Sequence, residues 1–215
     1  MNHHDNIKRV VDSGLVAIVR APSADEALAT VEAIHAGGVS VIEVTMTVPG
    51  AIGVLEKLAA KLGSKVLLGA GTVLDPETAR ACILAGAEFL VSPNLNVKVI
   101  ELTRRYSKVS VPAGLTPTEV VTAWEAGADF VKIFPCSAMG GADYIKALKA
   151  PLPQVAMIPT GGVSLENCGT FFKAGAAAVA VGGELVDKKA VAEKRWDAVT
   201  KTAQAFADAV RKARS

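Results

Sequence analysis

The chain has 215 residues, of which 51% are hydrophobic and 20% are charged, and 23 lysines and arginines nearly balance 21 aspartates and glutamates. The near-neutral charge argues against a nucleic-acid-binding protein, and no apolar stretch approaches the roughly 20 residues of a membrane span. The three cysteines, Cys82, Cys136 and Cys168, have neither the number nor the spacing of a disulfide framework or a zinc site. We therefore expect a soluble cytoplasmic protein with no nucleic-acid or membrane partner.

Short runs rich in β-branched residues recur along the chain and predict eight strands. We place them at residues 15–20, 39–45, 65–69, 89–92, 109–113, 130–134, 156–160 and 178–181. Helical patterns separate the strands, and Ser23, Asp75 and Thr116 stand where helix-capping residues are expected. Four of the helical patterns end at a glycine that closely precedes the next strand, as a left-handed helix end requires.

Eight strand–helix units predict a parallel (β/α)8 TIM barrel rather than a doubly wound sheet. No linker or low-complexity stretch interrupts the units, so we expect a single domain over residues 1–215, with an N-terminal segment at 1–13 and a C-terminal helix at 189–215. In this fold active sites gather at the C-terminal ends of the strands. Unusual residues near those ends are therefore candidates for function.

A lysine and a glutamate stand inside apolar strands, where a charge is costly. Lys132 lies in the run FVKIFP at 130–135, and burial lowers the pKa of an amine, so more of the neutral amine is present to attack a carbonyl carbon. Glu43 lies in the second strand, and side-chain alternation places it inward together with Lys132. An amine and an acid would then face one pocket. The alternatives are a lysine that snorkels to water and a buried ion pair with a structural role only.

Glycine-rich turns are predicted after the third, seventh and eighth strands, at 69–72, 160–162 and 182–183. The last two stand where such barrels bind phosphate through backbone N–H groups, although a glycine pair after a strand is also an ordinary tight turn. Arg20 ends the first strand and has the donors to bind a carboxylate or phosphate. Its alternative is a surface ion pair with Asp25 or Glu26.

The three histidines, His3, His4 and His35, do not assemble a metal centre by their positions in the sequence. This argues for chemistry carried out by the lysine, without a metal. Cys136 adjoins the predicted site, but without a histidine base nearby we do not expect it to act as a nucleophile.

Five segments in order resemble the family of 2-keto-3-deoxy-6-phosphogluconate (KDPG) and 4-hydroxy-2-oxoglutarate (KHG) aldolases. The segments are IEVT at 42–45, GAGTV at 69–73, VSP at 91–93, VKIFP at 131–135 and PTGGV at 159–163. The resemblance runs from about residue 15 to residue 186. It implies a class I aldolase, without a cofactor, that is a homotrimer of (β/α)8 barrels and cleaves a 2-keto-4-hydroxy acid to pyruvate and an aldehyde.

The resemblance also implies roles for individual residues. Lys132 matches the Schiff-base lysine, Glu43 the general acid/base and Arg20 an anion-binding arginine. The positions that shape the pocket around the pyruvyl carboxylate are matched by Thr72, Pro93, Phe134 and Thr160. The phosphate loops are matched by Gly161, Gly162, Gly182 and Gly183.

The favoured substrate is KDPG, which yields pyruvate and glyceraldehyde 3-phosphate, while KHG and 2-keto-3-deoxy-6-phosphogalactonate (KDPGal) stay open. Two departures bear on this choice. Many relatives carry arginine where this chain has Thr47, and many carry serine where it has Glu184, a carboxylate that would repel a phosphate if it faced the site. Alternatives of another class are a phosphate-binding barrel isomerase or decarboxylase and a non-catalytic barrel scaffold.

Overall fold

The structure is a computed structural model and describes residues 2–215, so Met1 of the predicted N-terminal segment lies outside it. Strands and helices alternate along the described chain. The strands are β1 (Leu15–Val19), β2 (Val41–Thr45), β3 (Leu67–Gly71), β4 (Phe89–Val91), β5 (Val109–Val111), β6 (Val131–Ile133), β7 (Met157–Pro159) and β8 (Val179–Val181). The helices are α1 (His3–Ser13), α2 (Ala24–Ala36), α3 (Ala51–Leu62), α4 (Pro76–Leu84), α5 (Val97–Arg105), α6 (Pro117–Glu125), α7 (Ala142–Lys149), α8 (Cys168–Lys173), α9 (Lys188–Ala192) and α10 (Trp196–Arg214).

The strands pair in parallel and form two sheets. Six lie in the order β5-β4-β3-β2-β1-β8, and β6 pairs with β7. Isolated bridges join Ala113 to Lys132 and Thr160 to Ala180, so the two-stranded sheet adjoins both edges of the larger one. The molecule therefore has an α/β fold with a curled parallel sheet.

Two apolar cores lie on opposite sides of the strands. Ile18, Val41 and Phe89 belong to an inner core on the concave side. Ile42 and Val44, at alternate positions of β2, pack in an outer core that includes helix residues. Because successive side chains of a strand point to opposite faces, this alternation sets which side chains enter the concave side.

Helix α1 covers the end at which the strands begin, which we call the floor. Its Val10 side chain joins the inner core. Asn6 donates from Nδ2 to Glu88 Oε2 at 2.9 Å, just before β4 begins. His3 Nε2 lies 2.9 Å from Asp129 Oδ1, close to the start of β6. The opposite end, where the strands finish, we call the mouth.

Seven of the eight predicted strand ranges contain the corresponding observed strand, and the third range is shifted relative to β3. β3 begins at Leu67 rather than at residue 65, because Gly63–Lys65 forms a 3-10 turn after α3. The strand runs to Gly71, so the prediction of a turn at 69–72 was wrong for Gly69 and Gly71, whose missing side chains make room for neighbouring groups of the inner core. The predicted helix at 189–215 is divided into α9 and α10, with Lys194 between them at a φ of 54°.

Candidate active site

Lys132 and Glu43 both enter the inner side of the sheet, as alternation predicts. Lys132 is 4% exposed and Glu43 is 1% exposed. Together with Thr160 they line one cavity that reaches down to Val10 at the floor. Within the described chain neither residue forms an ion pair at 4.0 Å or less. The structure thus places an amine and an acid around one space without joining them directly.

Burial moves the pKa values of both groups toward neutrality. Desolvation raises the pKa of Glu43, and the positive charges of Lys132 and then Arg20 oppose that rise. Desolvation also lowers the pKa of Lys132, which the Glu43 charge opposes and the Arg20 charge reinforces. Since burial is the largest cause in each case, the neutral amine and the protonated acid are both favoured relative to water.

Aromatic and hydroxyl side chains surround the lysine. Lys132 Nζ lies 5.0 Å from the centre of the Phe134 ring, within the range of a cation–π interaction. The same ring lies beside Gly161, at which a Cβ would be 3.6 Å from ring atom Cδ2. Thr160 is buried, and its Oγ1 donates to the Ile158 carbonyl at 3.3 Å. The structure therefore brings Phe134, Thr160 and Gly161 to the lysine.

The Arg20 guanidinium turns toward the predicted phosphate loops. A Cβ on Gly182 would lie 3.2 Å from its Nη1 atom, and its charge acts on both Lys132 and Glu43. Arg20 makes no ion pair at 4.0 Å or less with a carboxylate in residues 2–215, which excludes the surface pairing considered above. A positive group therefore stands beside the loop after β8, close enough for its charge to act on Lys132 and Glu43.

The glycine loops after β7 and β8 have features of an anion cradle. Gly161 and Gly162 have φ angles of 91° and 74°, a region that side chains rarely adopt. The N–H groups of Gly162 and Gly183 donate to no acceptor in the described chain. Such free N–H groups are suited to bind phosphate oxygens.

Two predicted pocket residues lie at the mouth. Thr72 follows β3 and has a φ of 60°, which is strained for a β-branched residue and is a feature that clusters at active sites. Pro93 is half-buried two residues beyond the end of β4. No hydrogen bond in residues 2–215 joins either of them to Lys132 or Glu43.

The two departures from the family pattern are exposed. Thr47 Oγ1 lies 2.7 Å from Thr45 Oγ1, which also lies 3.3 Å from the Val19 carbonyl. Glu184 forms no ion pair at 4.0 Å or less within the described residues and follows the loop glycine Gly183. The exposed Thr47 hydroxyl, within hydrogen-bond distance of the buried Thr45 hydroxyl, thus stands at the position where the family resemblance leads us to expect arginine.

Sequence reasoning missed two neighbours of the site. Gly71 lies against the Glu43 side chain, and Ser137 lies against Gly162, at which a Cβ would be 2.7 Å from Ser137 Oγ. Glycines two residues apart beside a strand that carries a charge are the signal that would have indicated the first. No local pattern indicates the second.

The remaining reactive side chains of the described residues bear on two kinds of site, a metal site and a nucleophilic thiol. In residues 2–215, His, Cys, Asp and Glu side chains form no group of three placed to hold a metal ion. Burial raises the pKa of the Cys136 thiol to about 11, so the thiolate is scarce near neutral pH. None of the described helices has both the length and the apolar character needed to cross a membrane.

Comparison with known proteins assigns the family. The KDPG and KHG aldolase family matches residues 7–202. The chain is 39% identical to the 2-dehydro-3-deoxy-6-phosphogalactonate aldolase of Escherichia coli (strain K12) over 203 residues, which cover 93% of this chain and 95% of the relative. It is 29% identical to the 2-dehydro-3-deoxy-phosphogluconate aldolase of Haemophilus influenzae over 205 residues, covering 95% and 96% of the two chains.

Solved structures agree with this assignment. A native KDPGal structure matches with a TM-score of 0.86 and 38% identity, covering 93% of this chain and 95% of the other. A KDPG aldolase from Legionella pneumophila, with pyruvate captured as a covalent carbinolamine, matches with a TM-score of 0.86 and 29% identity, covering 93% and 97%. The chain therefore belongs to the KDPG and KHG aldolase family and is an aldehyde-lyase.

Proposed function

We propose that Lys132 forms a Schiff base with a 2-keto-3-deoxy-6-phospho sugar acid and that Glu43 transfers the protons, so that the acid is cleaved to pyruvate and glyceraldehyde 3-phosphate. The observation that carries the proposal is the pair itself. Two buried ionisable groups line one cavity, are not paired with each other, and have pKa values that burial moves toward neutrality. Catalytic acids, bases and nucleophiles require this kind of shift.

The reaction follows from these groups. The neutral Lys132 amine adds to the C2 carbonyl, and loss of water gives an iminium that accepts electrons. Glu43 removes the C4 hydroxyl proton through a water molecule, the C3–C4 bond breaks, and its electron pair moves to C3 to form an enamine while the aldehyde leaves. Protonated Glu43 returns a proton to C3, and water hydrolyses the iminium to release pyruvate and the free amine.

The surrounding residues have supporting roles in this proposal. Thr72, Pro93, Phe134 and Thr160 shape the pocket for the pyruvyl group, and the Phe134 ring, 5.0 Å from Lys132 Nζ, also stabilises the cationic iminium. Arg20 and the loops that contain Gly161, Gly162, Gly182 and Gly183 bind anionic groups of the substrate. The free N–H groups of Gly162 and Gly183 support that role.

KDPG and KDPGal differ in configuration at C4 and give the same two products. KDPG is the substrate favoured by the sequence motifs. A second candidate is KDPGal, because the chain is 39% identical to a relative named for the galactonate and 29% identical to one named for the gluconate. KHG, without a phosphate, is the third. Membership in an aldolase family decides against the isomerase, decarboxylase and scaffold alternatives.

We also propose that residues 1–215 form one domain, a closed (β/α)8 barrel, and that the protein is a cytoplasmic homotrimer. The isolated bridges at both edges of the two sheets support closure. A similar chain occurs in a cage made by fusing symmetric oligomeric domains, matched at 38% identity with a TM-score of 0.86, which supports an oligomer. Sedimentation of the purified protein measures its oligomeric state.

The decisive test is covalent trapping. Pyruvate with borohydride should inactivate the protein and leave a reduced adduct on Lys132, located by peptide mass mapping, because an enamine-forming lysine passes through a reducible imine. Lys132→Met is the control that should not be labelled. An adduct found only on exposed lysines such as Lys146 would refute the mechanism. Values of kcat/KM for KDPG, KDPGal and KHG then rank the three substrates.

A further inference from the structure

The Glu43 side chain occupies the space that a side chain at position 71 would fill. β2 and β3 are neighbours, with Glu43 beside Gly69 and Thr45 beside Gly71. A Cβ on Gly71 would overlap Glu43 Oε1 and Cδ and would lie 2.6 Å from Cγ. Real Cβ atoms essentially never approach other heavy atoms to less than 3.0 Å. A residue larger than glycine at position 71 is therefore incompatible with the observed position of the carboxylate.

No hydrogen bond from residues 2–215 holds the Glu43 carboxylate in place. Glu43 Oε1 is buried without a hydrogen-bond partner in the described residues, and the side chain makes no ion pair at 4.0 Å or less there. A glutamate has several rotatable bonds, and its rotamers differ little in energy unless packing selects one. The space beside Gly71 that a side chain would fill, which we call the slot, supplies that packing for Glu43. The position of the acid is thus set by shape.

We propose that Gly71 is a positioning residue whose missing side chain seats Glu43 for proton transfer. The inference rests on the proposed role of Glu43 and extends it to a residue that acts through the Glu43 side chain. Position 69 offers a contrast, because a Cβ there would overlap the rigid ring of Phe89 rather than a flexible side chain. Gly71 has no left-handed φ, so alanine is compatible with its backbone, and the group that must yield is the Glu43 carboxylate.

Two partial reactions allow the roles of Lys132 and Glu43 to be measured separately. Borohydride trapping of pyruvate needs Lys132 only. Exchange of the pyruvate C3 protons in D2O, followed by NMR, also needs a base that removes a proton from the iminium and returns a deuteron to the enamine. We expect Gly71→Ala to slow exchange about a hundredfold, because a displacement of about 1 Å costs that much, while trapping stays within about twofold of the wild type. Gly53→Ala, in open space on α3, is the neutral control.

A double-mutant cycle shows whether the effect passes through Glu43. In a Glu43→Gln background the base is already lost, so Gly71→Ala should slow exchange by less than about twofold. An undiminished effect there, equal losses of trapping and exchange, or wild-type exchange in Gly71→Ala would each overturn the inference. Failure of the wild-type protein to form any adduct would instead overturn the proposed function, and the inference with it.

Stability supplies an independent measurement if Gly71→Ala folds poorly. In Glu43→Ala the slot is empty, so an added methyl group at position 71 should fit. We expect Gly71→Ala to lower the melting temperature in the Glu43 protein and to lower it less in the Glu43→Ala protein, because residues in contact are not additive. Equal losses in both backgrounds would show that position 71 does not act on Glu43 and would overturn the inference.

Discussion

We expect Lys132 and Glu43 to lower the free energy of unfolding of the wild-type protein. Both are buried, and Glu43 Oε1 has no hydrogen-bond partner in the described chain. Lys132→Met with Glu43→Gln replaces two desolvated ionisable groups by neutral side chains of similar shape. Replacement of a buried ion pair by neutral side chains of similar volume is neutral or stabilises by about 1–4 kcal/mol, and we expect the same range for these two unpaired groups. We expect the double variant to be inactive and to melt higher than the wild type, by about 2–4 °C for each kcal/mol gained.

The distance between Lys132 and Glu43 also limits how strongly their charged forms can stabilise each other. The amine and the carboxylate are more than 4.0 Å apart, so an attraction between their charged forms is below about 4 kcal/mol at an effective dielectric constant of about 20. A double-mutant cycle from urea unfolding curves should therefore give a favourable coupling energy smaller than this limit.

The increase in stability expected on replacing Lys132 and Glu43 depends on pH, and the sign of that dependence differs for the two residues. A lysine with a lowered folded-state pKa destabilises the protein fully below that pKa, and the cost disappears as the pH rises to the unfolded-state value of about 10.4. The cost of Glu43, whose pKa is raised, is absent below the unfolded-state value of about 4.3 and grows as the pH rises through the folded-state pKa. In a Glu43→Gln background, the gain from Lys132→Met should shrink as the pH rises. A gain that grows with pH, or a double variant less stable than the wild type at neutral pH, would refute the reasoning.

Three further predictions concern activity. Glu43→Gln should lower kcat about a hundredfold or more while pyruvate is still trapped on Lys132, because a positioned acid/base contributes about 10²–10⁴; wild-type turnover would leave proton transfer unassigned. Glu184→Ser should shift the ratio of kcat/KM for KDPG to that for KHG toward KDPG if the carboxylate repels the phosphate, and an unchanged ratio places Glu184 outside the site. Iodoacetamide near neutral pH should leave activity intact, because burial raises the pKa of Cys136 to about 11 and that of Cys82 to about 12; rapid inactivation would mean that a thiolate is accessible.

Periodicity predicted most of the strands and the inward placement of Glu43 and Lys132. Side chains alternate between the two faces of a strand, so the apolar residues next to Glu43 in β2 and next to Lys132 in β6 point outward to the helices and the two charged residues point inward. Capping chemistry predicted helix starts such as Ser23 and Thr116, whose side chains accept from the backbone N–H three residues on.

The features that were predicted wrongly, or not predicted at all, depend on contacts between segments that are distant in the sequence. Gly69 and Gly71 resemble a turn because glycine is depleted in strands, and only the neighbours Phe89 and Glu43 explain why a strand needs them. The direction of Arg20 likewise depends on Gly182, which is 162 positions away along the chain. Local sequence patterns do not encode such pairs.

The narrow cavity above the floor limits the routes by which reactants can reach Lys132. The cavity between Val10 and Lys132 has a volume of about 10 Å³ and mostly apolar walls, so it admits no more than a single water molecule. Substrate, aldehyde and hydrolytic water must therefore all pass the mouth. In the proposed mechanism pyruvate stays bonded to Lys132 as the enamine, so the aldehyde leaves first and water then frees the pyruvate. In the direction of synthesis pyruvate must bind first, and inhibition by the two products should show this order.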